Sequence, residues 1–100
     1  MAAMSESSVT AQVVFVRRAR SELGLTRRQS QILWQLCERG TDQYQHAERL
    51  GISVATLKNH RTNLYSRLGI ETDAPGKAIR AVRVAWPIYA ACREEWRRAA

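Results

Sequence analysis

The sequence predicts an all-α protein built around a helix-turn-helix, and three observations carry that prediction. Ser53 to Gly69 reads as one helix in which Leu57, Leu64 and Leu68 fall within about 20° of one direction on a wheel of roughly 100° per residue. Asp42 to Gly51 reads as a shorter helix ending in a tight turn just ahead of it. The chain has 100 residues, 45% of them hydrophobic, which suits one folded domain with a modest helical core.

Taken in order, residues 1–8 are small and polar and are expected to be disordered, leaving 9–100 as the single domain. Val9 to Leu23 favours a helix, with Val9, Val13, Val16 and Leu23 on one face and Gly24 at its end. Thr26-Arg27-Arg28-Gln29 has the pattern of a capping box, opening a helix with a stripe of Ile32, Leu33, Leu36 and Cys37. Gly40 stops it. Asp42-Gln43-Tyr44-Gln45 is a second such pattern, and its helix ends at Gly51, where glycine allows positive φ.

Ser53 caps the third helix, with Thr56 three residues on. Opposite its leucines, Ala55, Lys58, Asn59, Thr62 and Ser66 form a slim polar edge, the shape a recognition helix offers to the major groove. Lys58 can donate to guanine, Asn59 can pair with adenine, and Thr62 can touch a thymine methyl. Arg61 sits at the rim of the apolar face, better placed for a phosphate. Residues 71–76 connect to a last segment from Lys77 to Arg98. There Ile79, Val82, Trp86 and Tyr89, continuing to Trp96, make a heptad-like seam suited to self-association. Pro87 should kink that helix or divide it.

Net charge is +7, and 14 of the 16 basic residues are arginine, a balance that suits a phosphate-rich partner. No Ser/His/Asp set, paired carboxylates, glycine-rich phosphate loop or metal-ligand spacing is visible, so neither catalysis nor a cofactor is expected. Cys37 and Cys92 read as buried hydrophobes in a reducing compartment. The absence of a long apolar run predicts no membrane span and a cytoplasmic, nucleoid-associated protein. Trp34, Trp86 and Trp96 read as core or dimer anchors, and Tyr65 divides between core edge and phosphate contact.

From Leu25 to about Ala85 the chain resembles the DNA-binding domain of LuxR/FixJ/NarL-type (GerE-like) regulators. The residues that carry this are Leu25-Thr26, Arg28, Ile32-Leu33, Gly40 and Ala47-Glu48-Arg49-Leu50, then Ile52-Ser53, Thr56-Leu57-Lys58, His60, Asn63-Leu64-Tyr65 and Leu68-Gly69-Ile70. The resemblance implies a four-helix core over 25–85, with an extra N-terminal helix and an extension over 86–100. It also implies a third helix in the major groove and dimerisation through the fourth. Base contacts would fall on Lys58, Asn59 and Thr62, and phosphate contacts around Thr26, Thr56 and His60; Arg28, Ser53, Arg61 and Tyr65 complete the candidate DNA-binding set.

The second helix departs from the family's usual pattern, since Asp42 to His46 replaces a Ser-Asn-Lys-Glu-Ile run and puts histidine at a normally apolar position. With 24 residues ahead of Leu25, no receiver or ligand-sensing domain is expected. The expected function is sequence-specific duplex DNA binding by a homodimeric transcriptional regulator. The other reading is a protein-interaction module, or a phage or sigma-like accessory factor, contacting RNA polymerase or another regulator.

Overall fold

The structure, a computed structural model, describes residues 2–71 and 73–99, with side-chain surroundings from Thr10 onward except at Trp96 and Ala99. Its helices are α1 (Ala2–Leu23), α2 (Arg27–Arg39), α3 (Gln43–Leu50), α4 (Val54–Arg67) and α5 (Lys77–Ala99). Among the described residues there is no strand.

Short polar side chains set the starts of the three central helices. Gln29 N donates to Thr26 Oγ1 at 3.1 Å and Thr26 N donates to Gln29 Oε1 at 3.0 Å, the reciprocal pair expected of a capping box. Asp42 Oδ1 accepts from Tyr44 N and Gln45 N, but Gln45 does not return the bond, so α3 has a capped N-terminus without the full box. Ser53 Oγ accepts from Thr56 N at 3.1 Å and opens α4. The turns after α3 and α4 share one geometry. Gly51 (φ 66°) and Gly69 (φ 75°) are left-handed, Ile52 N donates to Ala47 O, and Ile70 N donates to Tyr65 O.

Helix α2 is the centre of the molecule, packed by α1, α4 and α5, while α3 packs chiefly on α4. Phe15, Ile32, Leu33, Leu57 and Leu64 are fully buried, and burying each contributes about 1.5–3 kcal/mol. At the junction of α1, α2 and α5 the rings of Phe15, Trp34 and Tyr89 meet at centroid distances of 5.2–6.4 Å. Glu38 accepts from both the Tyr89 hydroxyl and the Arg93 guanidinium, which lies over Trp34 at 5.2 Å. Arg93, which falls between Tyr89 and Trp96 in the heptad-like seam, is thus part of the core's edge.

Several expectations need correction. Helix α1 begins at Ala2. Its buried face is Ala11, Phe15 and Ala19, with Val13 half exposed; Val9 lies outside the described side chains. Leu23 of the expected face does pack against the core, but the face is displaced because alanines at i, i+4 spacing let helices approach closely while carrying a weak hydrophobic signal. The buried seam of α5 is Ala81, Ala85, Ile88 and Cys92. Pro87 lies inside one continuous helix rather than between two. Its ring is exposed while Ala85 and Ile88 on either side are buried, so packing holds the helix across the missing N–H. Cys92 is buried and Cys37 half-buried, and burial pushes the Cys37 thiol up to about 12.

Candidate nucleic-acid interface

Helix α4 is anchored by Leu57, Leu64 and Tyr65, and this fixes which side it leaves to solvent. Ala55, Lys58, Asn59, Thr62, Asn63, Ser66 and Arg67 are exposed, and α4 contains no acidic residue. The polar edge read from the sequence is therefore a real surface strip. Thr62 Oγ1 donates to Lys58 O at 3.0 Å, which commits its hydroxyl hydrogen to the helix backbone.

The hydroxyls at the helix starts are positioned by their capping bonds. Thr56 Oγ1 accepts from Ser53 Oγ at 2.9 Å and keeps its own proton to give outward. Thr26 is exposed beside half-buried Arg28 at the tip of α2, and His60 is half-buried on α4. Gln29 of α2 shares a shallow depression with Asn63, Ser66 and Arg67 of α4. Asn63, Arg67 and Gln29 were absent from the expected site. The signal for the first two was their i+4 and i+8 spacing from Asn59 along the exposed edge.

Arg61, expected near a phosphate, is placed otherwise. Arg61 turns back from α4 onto α3: its Nη2 lies 2.7 Å from His46 Nδ1 and donates to Thr41 O at 3.3 Å. Burial lowers its pKa from the ordinary arginine value. His46 is fully buried, and burial, then the Arg61 charge, lowers its pKa from 6.5. Among the described residues, His46 Nε2 and Arg61 Nε are buried without a hydrogen-bond partner. The histidine that replaces an apolar residue thus serves as the acceptor for an arginine that braces α3 against α4. Tyr65 takes the core-edge place, one of its two expected readings, with the Lys77 ammonium 5.8 Å from its ring centroid.

The seam proposed for self-association is also divided. Ile79 and Trp86 are exposed at 60% and 49%, whereas Val82 and Tyr89 pack against the core. Trp86 rests on Tyr89 at 5.0 Å, and Val84 is a further exposed apolar side chain of α5.

The helix pair α3–α4, its turn at Gly51 and the exposed strip make a helix-turn-helix. Residues 23–75 match the GerE model of bacterial regulatory proteins, luxR family. The chain belongs to that family. No curated protein and no solved structure matches it. The luxR-family match runs from the end of α1 to the connector before α5, so it spans the whole helix-turn-helix and stops short of the exposed face of α5. Domains of this family are DNA-binding regulators rather than enzymes. Among the described residues, no group of three His, Cys, Asp or Glu could hold a metal, and no helix is long and apolar enough to cross a membrane.

Proposed function

We propose that the chain binds duplex DNA sequence-specifically as a homodimeric transcriptional regulator, working at the nucleoid in the cytoplasm, with α4 in the major groove. The observation that carries this is the exposed strip of Lys58, Asn59 and Thr62 on a helix without acidic residues. Lys58 is suited to guanine O6 or N7, Asn59 to the paired donor and acceptor of adenine, and the Thr62 methyl to thymine. Thr26, Arg28, Ser53, Thr56 and His60 flank the strip and suit phosphate oxygens. Exposed Ile79 and Trp86 on α5 supply an apolar surface for self-association.

The test is a mobility-shift series against random-sequence duplex over rising salt, followed by binding-site selection. Steep weakening with salt and recovery of one enriched motif are expected. No shift even at low salt would overturn the proposal. It would favour instead a module that contacts RNA polymerase or another regulator through Trp86 and its neighbours.

A further inference from the structure

Helix α1 up to Glu22 lies ahead of the residues that match the family, yet it carries a concentrated positive charge. Arg17 and Arg20 line a groove of about 780 Å³ with Arg27 of α2, alongside Val13 and Val16. All three arginines are exposed, and no acidic residue lines the groove. Their neighbour Arg18 is different, being held by Glu22 at 2.7 Å. Among the described residues no carboxylate pairs with Arg17, Arg20 or Arg27. Three uncompensated guanidinium groups around one groove repel each other and favour a polyanion.

The first turns of α2 contribute to this groove and to the depression beside the recognition helix. Arg27 and Gln31 line the groove, while Gln29 between them lines the depression with Asn63, Ser66 and Arg67 of α4. Neither depression contains an acid, and both use residues from the first two turns of α2. We infer that Arg17, Arg20 and Arg27 form an accessory phosphate-binding site that holds duplex DNA beside the stretch read by α4. Planar guanidinium forks match phosphate oxygens, and Ser21 and Gln31 in the same groove add neutral donors. The inference rests on the DNA-binding reading above and extends it to a helix beyond the family domain.

The experiment measures affinity for a fluorescein-labelled random-sequence duplex across a salt series, using the full chain. Each lost phosphate contact should flatten the plot of log K against log salt by about 0.9. The Arg17→Ala/Arg20→Ala variant should therefore lose about 1–2 from the slope, with its helix content unchanged by circular dichroism. Arg17→Lys/Arg20→Lys should keep most of the slope. Arg80→Ala/Arg83→Ala removes the same formal charge outside both depressions and should leave the slope as it was. A wild-type slope in Arg17→Ala/Arg20→Ala would overturn the inference and leave the groove to an acidic protein segment. Equal flattening by both alanine pairs would also overturn it, because net charge alone would then explain the effect. Wild-type protein with no salt-dependent binding would instead remove the DNA-binding reading, and this inference with it.

Discussion

The Arg61 guanidinium and the His46 imidazole meet at 2.7 Å, Nη2 to Nδ1, across the turn between α3 and α4. Arginine can only donate, so Nδ1 is the acceptor and the ring is neutral with its hydrogen on Nε2. Protonation would set two cations face to face in a buried site. Around the ring, Arg61 of α4 and Arg39 of α2 disfavour the charge, while Asp42 and the Gly40 backbone favour it. The first cause, burial, prevails and the folded pKa lies below 6.5.

Stability should therefore depend on acid in one direction. The unfolded chain takes up a proton at His46 more readily than the folded one, so the contribution is fully present above about pH 6.5. It is lost as pH falls from there through the folded value. Urea midpoints between about pH 7 and pH 5 should drop in the wild type. The drop should be smaller in His46→Gln, whose Oε1 can still accept from Arg61 without titrating. Equal pH slopes in the two proteins would remove His46 as the source.

Gly51 isolates a purely backbone effect. Its φ is 66°, and a Cβ added there would meet nothing within 4 Å. Gly51→Ala should cost about 1–2 kcal/mol through the left-handed conformation alone. Gly51→Asn should cost less, because asparagine tolerates that region. Denaturant unfolding measures both. An alanine variant as stable as wild type would mean that the turn relaxes to another geometry.

Lys58→Ala should weaken binding to the selected motif by about 1–3 kcal/mol and relax preference at one base position. The side chain is exposed, so the fold should be unaffected. Binding-site selection on the variant is the check. An unchanged motif at unchanged affinity would show that α4 does not read bases through Lys58.

The helix-turn-helix was legible because its signals are local: Thr26, Asp42 and Ser53 cap, Gly51 turns, and the leucines of α4 share one direction. The outer helices were harder, and for a common reason. Ala11, Ala19, Ala81 and Ala85 are buried, yet alanine is weakly hydrophobic and common on helix surfaces, so in α1 Val13 drew the face the wrong way. Arg61 was misplaced because its partner, His46, lies fifteen residues away and stands where an apolar residue was usual. Pairings across a tertiary contact leave no periodic trace in one sequence. The site's outward strip was readable by elimination, since a helix anchored by Leu57 and Leu64 has only one side left.

The surface of α5 separates residues that two readings had joined. Trp86 is 49% exposed and rests on Tyr89, whereas Tyr89 donates its hydroxyl proton to Glu38 beside Arg93. Exposed tryptophan is a common anchor of interfaces, and truncating one often costs about 2 kcal/mol or more. Trp86→Ala/Ile79→Ala should therefore shift the protein from dimer to monomer by multi-angle light scattering at micromolar concentration, with little change in unfolding midpoint. Tyr89→Phe should do the reverse: it should remain dimeric but lose about 1–3 kcal/mol, because Glu38 loses a donor in a half-buried setting. If the double variant stayed dimeric, the contact between copies would lie off this face of α5, and Trp86 would be only the outer edge of the aromatic cluster.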